Sequence, residues 1–170
     1  MNLNGLKKEL QDWDGKSFAL LNMTYESHHR NEGFLANLIE LLQFEAVQVQ
    51  TTWLIKKYLE STNAVDSCES SLIWQCLPLI IKWEARLHLL QCFSFLSFTI
   101  AEKDLIEGFL RTNLGSNNKF VRAWAYSGFY QLAKQFPEYQ GELSQLIENA
   151  MLGESASVKA RIRNVQKLGF

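Results

Sequence analysis

Proline and glycine are scarce, two and nine in 170 residues, so long loops and frequent tight turns are excluded. Strict two-residue alternation of apolar and polar side chains is nearly absent, while Leu, Ala, Glu, Lys and Gln are abundant. An all-helical fold is expected. Charge of one sign is missing too. The net charge is −1 and the pI about 6.3, so no global basic field recruits nucleic acid. Cys68, Cys76 and Cys92 make an odd count with no paired framework, which fits a reducing interior.

Long apolar runs are lacking as well. No stretch reaches the 18 residues of a membrane span, and the richest, Leu72 to Ile81, is short and broken by Gln75. The opening residues MNLNGLKKELQDWDG carry no apolar run of secretory type. A soluble cytoplasmic protein that does not meet the membrane is the expectation.

What the chain does have is helical spacing. Leu3, Leu6 and Leu10 share one face of a first segment; Phe18, Leu20, Leu21 and Tyr25 suggest a second helix, closed by the polar loop His28 to Gly33. Phe34 to Phe44 has a wide apolar face. In Val47 to Glu60 the core-type residues Val47, Thr51, Leu54, Ile55 and Tyr58 stand at positions 0, 4, 7, 8 and 11. Asp66 and Glu69 have the spacing of a capping box. The helix they open, Leu72 to Trp83, is apolar nearly all round and reads as heavily buried, with a kink or interruption at Pro78. Leu105, Ile106, Phe109 and Leu110 mark another helix, and Pro137 fits a helix start before Leu143, Leu146, Ile147 and Ala150.

The five-position pattern returns. Ala85, Leu89, Cys92, Phe93 and Leu96 occupy it, as do Val121, Ala125, Gly128, Phe129 and Leu132. Val158, Ile162 and Val165 fill its first three places before it frays at Gln166. The anchors Val47, Ala85, Val121 and Val158 are 38, 36 and 37 residues apart, and each heads the second helix of a pair. A period in the high thirties built from helix pairs marks an α-solenoid.

The unit resembles a HEAT repeat, whose second helix carries a valine, then an arginine, then small and apolar residues. Val121-Arg122-Ala123-Trp124-Ala125 is the nearest copy, Ala85-Arg86 and Val158-Lys159 are weaker ones, and Val47-Gln48 keeps the anchor alone. The family's aspartate ahead of the valine is replaced by Asn117 and Asn118. The resemblance covers residues 33–168 and leaves 1–30 as an N-terminal cap or degenerate repeat. It implies one domain over residues 1–170, an all-α right-handed α-α superhelix of about four to five helix pairs.

In such a stack positions 2, 5, 6 and 9 of the second helices turn outward. Trp53, Leu90, Tyr126 and Tyr130 then lie in one row, with Lys56 and Arg163 at its ends, as anchors for a protein partner. The same row would serve a second copy of the chain. Arg86, Arg122 and Lys159 share position 1 and form a ladder, read first as inter-repeat bonding and second as a phosphate-binding stripe that Arg161 and Arg163 would extend.

No paired histidine ligands, zinc-type cysteine spacing, P-loop, dinucleotide fingerprint or G-x-S-x-G sequence occurs. No metal, no cofactor and no catalytic residue is therefore expected. A non-enzymatic protein-interaction module is the leading reading. The alternatives are a nucleic-acid binder akin to HEAT-like DNA glycosylases, with Trp53, Trp124 and Arg122 in its cleft, and a small inhibitor of immunity type. A bilin-lyase role finds no residue in its support.

Overall fold

The computed structural model describes residues 2–62 and 65–169, and every regular element among them is helical. The chain divides into two compact units, residues 1–97 and 98–170.

In the first unit, α1 (Leu3–Gln11), α2 (Phe18–His28), α3 (Phe34–Leu41), α4 (Gln48–Thr62), α5 (Ser67–Gln75) and α6 (Trp83–Cys92) follow in order. Short polar side chains cap the starts of α1, α2 and α5. The Asn2 and Ser17 side chains accept from the amides of Asn4 and Ala19. Asp66 and Glu69 form the expected reciprocal capping box at α5. Gly33, at φ 74°, takes the left-handed turn into α3 that a β-carbon would strain. Helix α4 is the centre of this unit, with α3 on one side and α6 on the other. Its inward residues Thr51, Leu54 and Ile55, and Val47 in the 3-10 turn just before it, are fully buried, whereas Tyr58 is half-buried.

Helix α5 departs from the sequence expectation. It stops at Gln75, a 3-10 turn covers Leu77–Leu79, and the chain is extended from Ile80 to Lys82. Pro78 lacks the amide a continuous helix would need, so the interruption is complete. The apolar run is accordingly not heavily buried throughout. Ile73, Trp74, Leu77 and Ile80 enter the core, whereas Leu72, Leu79, Ile81 and Trp83 stay exposed.

The second unit holds α7 (Lys103–Leu114), α8 (Lys119–Gln135), α9 (Gln140–Gly153) and α10 (Ala156–Gln166). Asn118 caps α8, its Oδ1 accepting from the amides of Phe120 and Val121. Pro137 opens the 3-10 turn leading into α9. Helix α8 lies between α7 and α10, which is why Val121, Ala125, Gly128, Phe129 and Leu132 are all buried. Arg111 forks Glu142, with contacts of 2.5 and 2.9 Å, and so ties α7 to α9. No described helix is long and apolar enough to cross a membrane.

Candidate functional site

The five residues after Pro78 make the most distinctive surface of the first unit. Ile80 is buried in the core, while Leu79 at the end of the 3-10 turn, Ile81, and Trp83 at the start of α6 are 47, 59 and 45% exposed. Three large apolar side chains in one short segment are a surface feature that a single exposed leucine is not.

This edge is held from below by one residue. The Gln48 side chain, 1% exposed, donates from Nε2 to the carbonyl of Leu42 at 3.0 Å and to that of Leu79 at 2.7 Å. Its Oε1 accepts from the amide of Ile81 at 3.1 Å. One amide thus fastens the segment at its first residue and at its middle. Outside, Lys82 pairs with Glu45 at 3.1 Å. Lys82 and Glu45 also line an open cavity of about 620 Å³, together with Trp13, Asp14 and Gln50.

The position-1 ladder is bonded within the chain. Arg86 Nε donates to the carbonyl of Ile80 at 3.1 Å, Arg122 to that of Ser116 at 2.8 Å, and Lys159 to that of Leu152 at 3.3 Å. Gln48 has the same geometry toward Leu42. Each position-1 side chain therefore reaches back six or seven residues, Gln48 to the cap of α3, Arg86 and Arg122 to the connection before their own helix, and Lys159 to the last turn of α9. Gln48 and Arg122 also reach the next connection, Gln48 at Leu79 and Ile81, Arg122 at Glu154.

Arg122 grips Glu154 with two bonds of 2.7 and 2.8 Å, which pull the Glu154 carboxyl below its ordinary range and the Arg122 guanidinium above its own. With Ser116 and Asn117 accepting from Nη1, four of the five guanidinium N–H donors are used and the charge is already paired, which argues against phosphate there. The sign for Glu154 is that of a depressed acid. Its contribution is complete above the ordinary value of 4.5 and disappears as pH falls through the lower folded value. We expect Glu154→Gln to lose roughly 1–2 kcal/mol at pH 7. The gap to the parent protein should close during acid titration, as followed by urea unfolding; an equal gap at pH 7 and pH 3 would contradict this.

The outward row needs correction. Leu90, Tyr126 and Tyr130 are 1, 7 and 8% exposed, so they do not face solvent. Helix α8 has α7 and α10 as lateral neighbours, and the Tyr130 hydroxyl donates to the carbonyl of Leu168 beyond α10. In α6, packed along α4, Leu90 enters the core in the same way. Trp53 is half-buried and stacks on Phe18 with centroids 5.4 Å apart. Lys56 is half-buried beside Glu60, at 3.8 Å, and Arg163 is exposed.

His88 and Cys92 are packing residues. The His88 ring meets the Thr52 hydroxyl at 3.1 Å, and burial pushes its pKa down to about 4, so it is neutral near pH 7. Burial pushes the Cys92 thiol up, away from reactivity. No group of three or more metal-ligating side chains occurs among the described residues.

Sequence reasoning missed Leu79, Ile81 and Trp83 because a helical reading of the run buries them. The available signals were Pro78 within it and Lys82 between Ile81 and Trp83. No protein-family model, curated protein or solved structure matches the chain.

Proposed function

We propose that this chain is a non-enzymatic protein-interaction module, and that its partner docks on the Leu79–Ile81–Trp83 edge. One observation carries the reading: a buried glutamine holds an exposed apolar segment in a fixed shape. Leaving three large apolar groups in water costs solvation free energy that docking would recover. A pre-ordered segment also loses less entropy on binding than a mobile loop. Beside it, the cavity lined by Trp13, Glu45 and Lys82 offers a recess for a partner side chain.

The architecture we infer for the module is a short HEAT-like solenoid. The recurrent position-1 bond six or seven residues back supports it in Gln48, Arg86, Arg122 and Lys159, as does the burial of the recurring core positions other than Tyr58. Arg122 and Glu154, whose pairing shifts both groups, are engaged in holding a connection, which fits a scaffold better than a reaction centre.

The test is affinity capture from a nuclease-treated lysate of the protein's own cells, followed by mass spectrometry. We expect one stoichiometric partner protein, lost on the double substitution I81S/W83S with helicity and unfolding midpoint unchanged. Capture that survives the substitution sinks the proposed edge. Recovery of nucleic acid alone from untreated lysate sinks the protein-binding reading.

A further inference from the structure

Two arginines of the second unit carry their own carboxylates. Arg111 has Glu142 and Glu107, and Arg122 has Glu154. Arg161 has none. Among the described residues its guanidinium makes no hydrogen bond and no ion pair. It lies instead over the Trp124 ring, 3.5 Å from the centroid, with both side chains half-buried.

Removing a cation from water without a counter-charge is unfavourable, and here burial lowers the Arg161 pKa. Stacking on the indole face offsets part of that cost. It also fixes the plane of the guanidinium while leaving its in-plane N–H donors free. A flat fork of donors fits the two oxygens of a carboxylate, or two oxygens of a phosphate. The surroundings favour an anion as well, because α10, ASVKARIRNVQ, contains three basic residues and no acidic one. Lys159 is turned to the Leu152 carbonyl, whereas Arg163 is exposed.

We propose that Arg161, held flat on Trp124, is the receptor for a single carboxylate from an acidic segment of the partner protein. A nucleic-acid strand fits less well. Duplex binding needs several phosphates neutralised at once, and Arg111 and Arg122 are already occupied by glutamates. The anion site stands on its own geometry; only the ownership of the carboxylate rests on the protein-binding reading.

Titration of isotopically labelled protein tests the site. The probes are acetate, inorganic phosphate and chloride at matched ionic strength, read at the Arg161 Nε–H and Trp124 Nε1–H resonances. We expect saturable shifts with acetate, on the order of millimolar affinity, and none with chloride. The shifts should vanish in Arg161→Gln and weaken by roughly fivefold or more in Arg161→Lys, which keeps charge but loses the fork. Superimposable acetate and chloride responses would overturn the site, whether or not the variants fold. A glutamate-rich peptide should then bind more tightly than inorganic phosphate or a DNA duplex of equal charge; preference for the duplex or for phosphate overturns the carboxylate assignment. I81S/W83S, in the other unit, should leave the acetate response intact, so failure of the docking edge and failure of the anion site give different results.

Discussion

Replacing Gln48 with leucine will destabilise the first unit by roughly 2–4 kcal/mol and release the Leu79–Trp83 edge. The substitution is close to isosteric, so packing changes little and the lost hydrogen bonds dominate. Three backbone groups lose their partner: the carbonyls of Leu42 and Leu79, and the amide of Ile81. An unsatisfied buried group costs about 1–3 kcal/mol. The three do not count equally, because Leu42 is fully buried whereas Leu79 and Ile81 border solvent and water can replace part of the loss there. Urea unfolding measures the stability change, and amide hydrogen exchange at Ile81 measures the release. Unchanged protection at Ile81 would mean that the segment holds its shape without the glutamine. The same variant connects the fold to the proposed function. Ile81 and Trp83 remain present, so weakened partner capture would show that their fixed arrangement matters as well as their apolar area.

Truncating Trp74 to alanine should have the largest effect of any single change, about 3–5 kcal/mol. Its side chain is fully buried on α5. It meets the Phe93 ring edge-to-face at 4.7 Å, and its Nε1 donates to the carbonyl of Ser97 at 2.8 Å. Alanine would leave a cavity, strip the ring contact and orphan that carbonyl. Trp74→Phe separates the parts, since it keeps an aromatic ring and removes the hydrogen bond; a loss of about 1–2 kcal/mol is expected there. Denaturant melts of both variants decide the matter. If Trp74→Ala lost less than about 1.5 kcal/mol, α5 would contribute far less to the core than its packing implies.

Much of the helical structure was legible in the sequence because it depends on neighbours along the chain. The Asp66 and Glu69 spacing became a capping box, since a cap needs only a few consecutive residues. The Val121 set and the Ala85 set became buried faces, because a hydrophobic period selects its own side of a helix. The surface was harder to read. A wheel drawn for α8 in isolation sends Tyr126 and Tyr130 outward, but it contains no information about α7 and α10 on either flank. A helix with two lateral neighbours has more than one buried face.

The stretch from Leu72 to Trp83 marks the boundary between the two kinds of information. Its apolar composition is compatible with a buried helix, and Pro78 alone marks a break without fixing where the chain goes next. Gln48, 31 and 33 residues before Leu79 and Ile81, captures both and turns the chain into an extended edge. In the same way the sequence supplied Arg122, Arg161, Trp124 and Glu154, but only packing decided that Arg122 found a carboxylate and Arg161 an indole. Local periodicity and capping determined that this protein is helical and which residues open α5. Side chains meeting across long separations decided which surfaces remain in water, because burial is a property of neighbours in space.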